Sequence, residues 1–206
     1  MLVLSPAAPS AQEIDEKSEP EETKAHFYFQ MALDEMEDGE YEGARRYFGM
    51  AINLEPYYPE AYFLRGLVFI ELGLNSCAYD DFTSAVDMDP KFYDAYLQRG
   101  CIMLKYDQFK SAIWDFSRAI FIDGSRPEAY LRRGEARAGY GLMEWALVDL
   151  NEAVTLDPNC FRAYLLRAKL YLEMGNYSMA DDDLIFIRDK CPDGELVAQA
   201  VAMLGE

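Results

Sequence analysis

The chain has 206 residues, 51% of them hydrophobic, and carries 37 acidic against 19 basic side chains for a net charge of −18. This much apolar material excludes wholesale disorder, and the charge excludes nucleic acid as a main partner, because phosphates repel such a surface. No apolar run approaches the ~20 residues of a membrane helix, and one histidine with four scattered cysteines leaves little for metal or nucleophilic chemistry.

Residues 1–24 contain Pro6, Pro9 and Pro20, several Ser and Ala, six acids and two lysines. This composition predicts a disordered acidic leader. Met1, Leu2, Val3 and Leu4 lack the positive start and long apolar stretch of a signal peptide. The expected location is the cytoplasm, with export as the alternative if a signal is removed before residue 1.

From residue 25 the chain repeats itself. The string PEAY at 59–62 returns at 127–130, and half that shift aligns YDAY at 93–96 and FRAY at 161–164. Five 34-residue units follow without insertion: 25–58, 59–92, 93–126, 127–160 and 161–194. Position 4 is always tyrosine (Tyr28, Tyr62, Tyr96, Tyr130, Tyr164), and position 8 is always small (Ala32, Gly66, Gly100, Gly134, Ala168). Position 20 is always alanine (Ala44, Ala78, Ala112, Ala146, Ala180). Position 24 is Phe48, Phe82, Phe116, Leu150 and Leu184, and position 27 is Ala51, Ala85, Ala119, Ala153 and Ile187.

The spacing places positions 4, 8 and 11 on one face of a first helix, A, and 20, 24 and 27 on one face of a second, B. Small residues at 8 and 20 let the backbones approach while position 24 fills the seam. Gly39, Gly73, Gly141 and Gly175 at position 15 suit the left-handed turn between the helices. Pro56, Pro90, Pro158 and Pro192 stop helix B. After the last unit, Asp193-Gly194 can start a helix over 195–206, whose apolar residues have helical spacing and predict a cap on the last repeat.

This pattern resembles the tetratricopeptide repeat family, over residues 25–194. The resemblance implies an all-α, right-handed superhelical solenoid of helix-turn-helix repeats with a C-terminal capping helix. Three departures stand out: Asp107 for the inter-helix glycine, Gly124 for the closing proline, and tyrosine for tryptophan at position 4.

Position 7 is Arg65, Arg99, Arg133 and Arg167 in four units, and position 23 is Asp81, Asp115, Asp149 and Asp183 in the same four. The first unit has Met31 and Tyr47, so both partners change together. The covariation predicts an Arg–Asp pair joining A to B inside each hairpin, since a half-buried arginine needs a carboxylate. The cysteines occupy four different repeat positions and read as free thiols, and the acidic clusters lack the glycine-centred spacing of a calcium loop. No nucleotide, metallohydrolase or nucleophile motif is present. The expectation is a protein that is not an enzyme, with no catalytic residues, no metal and no cofactor.

In the resembled family the A helices line the concave side, with groove positions 2, 5, 6, 9, 12 and 13. Here those include Phe29, Phe63, Leu97, Leu131 and Leu165 at position 5, Leu33, Leu67, Cys101 and Lys169 at position 9, Gln98 and Arg132 at position 6, and Arg162 at position 2. These twelve are the candidate peptide-binding groove, and the apolar ones among them form a stripe additional to the packing face. The family's carboxylate clamp for chaperone C-termini is absent from every three-unit placement. Units 1 and 2 are strongly acidic, whereas Arg132, Arg162 and Lys169 lie later, so the expected ligand has apolar anchors, a basic end and an acidic end. The functional expectation is a protein–protein interaction scaffold holding a peptide or helix of a partner, without membrane insertion. The alternative is a chaperone shielding apolar segments of a secreted or membrane-associated client. Leu2, Val3 and Leu4 of the leader are a further candidate for the groove.

Overall fold

The computed structural model describes residues 21–205, and the leader expected over 1–24 lies outside the described residues up to residue 20. Helix α1 (Glu21–Glu37) takes in the leader's last four residues. The helices alternate as the repeat requires: α1, α2 (Tyr41–Leu54), α3 (Pro59–Glu71), α4 (Asn75–Met88), α5 (Tyr93–Lys105) and α6 (Phe109–Ile122). They continue as α7 (Pro127–Gly139), α8 (Met143–Leu156), α9 (Phe161–Glu173), α10 (Tyr177–Lys190) and α11 (Gly194–Leu204). No strand occurs among the described residues.

The chain divides into two units, Met1–Tyr57 and Tyr58–Glu206. In the first, α1 packs on α2 through Ala32, Ala44 and Phe48, all fully buried. In the second, four hairpins stack in order, each B helix packing on the next A helix as a helical repeat solenoid. Helix α11 packs on α9 and α10, where Leu196, Met203 and Leu204 cover a cluster that includes Leu165, Ala168 and Leu184. The Asp193 carboxylate caps it by accepting from the Glu195 and Leu196 amides.

The repeat positions carry the packing that their residue types predict. Every residue at positions 20, 24 and 27 is fully buried. A methyl placed on Gly66 would come within 2.5 Å of the Phe82 ring, and one on Gly100 within 2.7 Å of Phe116. The seam is therefore closed by the aromatic ring lying on bare backbone.

The four glycines at position 15 have φ between 74° and 84°, and Asp107 takes the same left-handed conformation at φ 55°. Its Cβ carries a steric cost that glycine avoids. Asp107→Gly is expected to stabilise the protein by about 1 kcal/mol, seen as a raised urea midpoint at constant m. The missing proline in the third unit has a visible replacement. The Asp123 carboxylate accepts from the Ser125 amide at 3.0 Å and its hydroxyl at 2.6 Å. Asp89 and Asp157 make the same turn with the Lys91 and Asn159 amides, so an Asx turn closes these repeats with or without proline.

Candidate peptide-binding groove

All four predicted Arg–Asp pairs form, each as two parallel hydrogen bonds between guanidinium and carboxylate. Arg65 meets Asp81 at 2.7 and 2.7 Å, and Arg99 meets Asp115 at 2.8 and 2.8 Å. Arg133 meets Asp149 at 3.0 and 2.7 Å, and Arg167 meets Asp183 at 2.8 and 2.6 Å. Each arginine also lies over the position-4 tyrosine of its own helix, 5.1–5.7 Å from the ring centre. In the first unit Tyr47 instead stacks on Tyr28 with centroids 6.3 Å apart, so a ring pair replaces the ion pair. Burial pushes the Asp81 and Asp115 carboxyls up, and the facing guanidinium opposes that shift.

A second set of bonds goes beyond the predicted pairs. Arg99, Arg133 and Arg167 each reach back to the preceding repeat, donating to Thr83 Oγ1, Ser117 Oγ and Asn151 Oδ1. All three acceptors occupy position 25, and their shared polarity is the sequence signal. The arginine ladder thus joins A to B within a hairpin and one hairpin to the next. It is part of the frame that fixes the A helices.

On the A-helix face of the second unit, that frame leaves two hollows. One of about 600 Å³ is lined by Leu97, Gln98, Cys101, Leu104, Arg132 and Glu135 among others. The other, about 390 Å³, is lined by Leu131, Leu165 and Leu166, by Arg162 and Lys169, by the acids Glu135, Asp193 and Glu195, and by Leu196 and Gln199 of the cap. Eight of the twelve candidate groove residues line these two hollows. Phe63 and Leu67 line neither: Phe63 packs against the Phe82 and Phe92 rings at 5.7 and 4.8 Å, and both residues are half-buried beside a core cluster. Phe29 and Leu33 lie on α1 in the first unit, where Phe29 meets Phe48 edge-on at 5.6 Å.

Two expectations about the groove are corrected. Leu97, Leu131 and Leu165 are only 4–6% exposed, so position 5 forms a floor under the groove instead of a displayed stripe. The A helices approach one another closely enough to cover these side chains. Arg132 is not a free cation, because it bonds Glu128 at 2.7 Å and Glu135 at 3.2 Å on its own helix. That spacing, i−4 and i+3, is readable from the sequence. Asp94 is likewise occupied by Arg126 at 2.8 Å, whose guanidinium lies 3.7 Å from the Tyr93 ring centre. The expected gradient of groove charge therefore contracts to its far end. There Arg162 and Lys169 are exposed and, among the described residues, have no ion-pair partner.

Cys101 on the wall of the larger hollow is pushed up to about 11 by burial. At neutral pH it is a thiol, hence a poor nucleophile and an apolar lining group. Among the described residues, no helix is long and apolar enough to cross a membrane.

Residues 161–184, within the fifth repeat, match the family model of the tetratricopeptide repeat. Solved structures share the architecture. The MamA protein of Desulfovibrio magneticus RS-1 is 22% identical, with a TM-score of 0.77 over 81% of this chain and 94% of its own. YrrB, a tetratricopeptide protein with an unusual peptide-binding site, is 23% identical, with a TM-score of 0.75 over 87% of this chain and 91% of its own. TTC0263, a tetratricopeptide protein of Thermus thermophilus, is 19% identical, with a TM-score of 0.67 over 88% of this chain and the whole of its own. No curated protein sequence matches the chain. The fifth repeat thus carries the tetratricopeptide match, and the fold is the helical-hairpin solenoid of these solved structures.

Proposed function

We propose that the protein is a non-catalytic scaffold whose A-helix groove holds a peptide of a protein partner, with the hollow between α7, α9 and α11 as its main anchor site. The observation that carries this reading is the pairing of an apolar floor, Leu131 and Leu165, with two exposed cations without ion-pair partners, Arg162 and Lys169. Every other arginine of the second unit except Arg118 is in an ion pair among the described residues, so Arg162 is a charge the fold itself does not use. An apolar anchor seated on the leucines, followed by a carboxylate against the cations, satisfies both features. The peptide-binding site named for YrrB is consistent with this use of the fold.

A chaperone for many apolar clients needs a broad exposed apolar surface. The position-5 leucines are covered and the rims are charged, which supports the selective reading. The four cysteines are free, as a reducing compartment keeps them, which supports a cytoplasmic setting.

The test is peptide selection from a displayed library, followed by affinity measurement on the Arg162→Glu/Lys169→Glu variant. Selected peptides are expected to combine apolar anchors with an acidic end. The variant should bind them at least about tenfold more weakly with unchanged melting, because both substituted side chains are exposed. Unchanged affinity would overturn the assignment.

A further inference from the structure

The other unpaired arginine of the second unit, Arg118, lies on a different face. It belongs to α6, where Lys110, Trp114, Arg118 and Phe121 follow one another at four-, four- and three-residue spacing and so form a single stripe. The stripe runs about 16 Å along the helix. Trp114 is 56% exposed and Phe121 79% exposed. The Arg118 guanidinium lies between rings, 5.9 Å from the Tyr96 centre and 5.4 Å from Phe121, and among the described residues no carboxylate pairs with it. A guanidinium held near aromatic rings, with no carboxylate on it, keeps N–H groups available to an incoming carboxylate.

The two flanking repeats act as an internal control. At the same four positions α4 has Ser76, Asp80, Ser84 and Asp87, and α8 has Glu144, Val148, Glu152 and Thr155. Those hairpins stack without aromatics or cations on this face, so the packing of the repeat does not require the α6 stripe. The one acid of α6, Asp115, faces inward and is bound by Arg99. In a chain of net charge −18, three turns of helix thus present two cations and two exposed aromatics without an outward carboxylate. Beside Trp114 and Lys110 a hollow of about 330 Å³ is lined by Tyr79, Met103, Ser111 and the Arg99–Asp115 pair, with room for one side chain.

We infer that the outer face of α6 is a second docking surface, which takes an acidic amphipathic helix of a protein partner. Its apolar side seats on Trp114 and Phe121, with one side chain in the hollow, and its carboxylates meet Lys110 and Arg118. Asp80 and Asp87 on one flank and Glu144 and Glu152 on the other repel acids placed over the neighbouring helices. They confine the partner to the line of α6 and set its direction of approach. This surface is separate from the groove on the A helices, so one molecule can hold two partners at once.

The probe is a fluorescein-labelled peptide of about 12 residues, three turns of helix, with leucines on one face and glutamates on the other. Full-length protein should bind it saturably, more weakly as salt rises. Lys110→Glu/Arg118→Glu should weaken binding at least about tenfold, and the milder Lys110→Gln/Arg118→Gln should fall between. Arg162→Glu/Lys169→Glu, which removes the groove cations, should still bind the probe saturably, adding Lys110→Glu/Arg118→Glu to it should remove that binding, and circular dichroism melting should be unchanged in every variant. The inference is overturned if the wild type shows no saturable binding, if Lys110→Glu/Arg118→Glu binds equally well, or if the stripe binds phosphatidylserine vesicles and not the peptide.

Discussion

Asp115→Ala should destabilise the protein by about 3–5 kcal/mol, among the largest effects available to a single substitution in this chain. Asp115 is fully buried, and its two oxygens each accept one bond from Arg99, which is itself 8% exposed. Among the described residues, removing the acid leaves a guanidinium in the seam between α5 and α6 with only Thr83 Oγ1, at 3.3 Å, to accept from it. An uncompensated buried charge is what makes half a pair so costly. Replacing both members, Arg99→Met with Asp115→Leu, should recover most of the loss, because the two desolvation costs disappear together. Asp81→Ala should cost less than Asp115→Ala, since the Arg65 side chain is 21% exposed and water can solvate it. Urea midpoints at constant m measure all three, and a loss below about 1 kcal/mol for Asp115→Ala would show that the ladder does not hold the hairpins.

Phe82→Ala is the second large effect, expected at about 3–5 kcal/mol. The ring is fully buried and lies on the bare backbone of Gly66, so truncation leaves a cavity that the two helices cannot close without leaving their neighbours. Phe82→Leu should cost only about 1–1.5 kcal/mol, because the fourth repeat already runs on Gly134 against Leu150. Adding Gly66→Ala to Phe82→Ala should regain about 1–2 kcal/mol, from one refilled methyl and better helix propensity. In the wild type the same Gly66→Ala change would press its methyl on the Phe82 ring. The opposite signs of one substitution in two backgrounds distinguish this packing from general helix stabilisation.

Much of this architecture can be read in the sequence because a tandem repeat supplies its own comparison. Five tyrosines, five alanines and the linked change of Met31 and Tyr47 specify which faces meet and which arginine answers which aspartate. Three features are not legible in that way. Positions 3 and 10, such as Ala61 and Val68 or Ala95 and Ile102, are buried too. With them, one A helix is covered on more sides than two-helix periodicity suggests. Position 5 then becomes floor, and this burial depends on the separation of neighbouring A helices, which no single hairpin encodes. The charges of the groove mislead when taken one residue at a time, because Glu128, Arg132 and Glu135 neutralise one another on a single helix face. The α6 stripe escapes a reading built on what the repeats share, since only one of them has it.

In the function proposed above, the hollow between α7, α9 and α11 reads a carboxylate next to an apolar anchor. A charge swap measured by titration calorimetry tests it most directly, using one selected peptide and a version in which its acidic end is changed to lysine. The wild type should prefer the acidic peptide by at least about tenfold, and Arg162→Glu/Lys169→Glu should reverse that preference. A variant that keeps the wild-type preference would rule out this function for the hollow, because the selectivity would then come from somewhere other than Arg162 and Lys169.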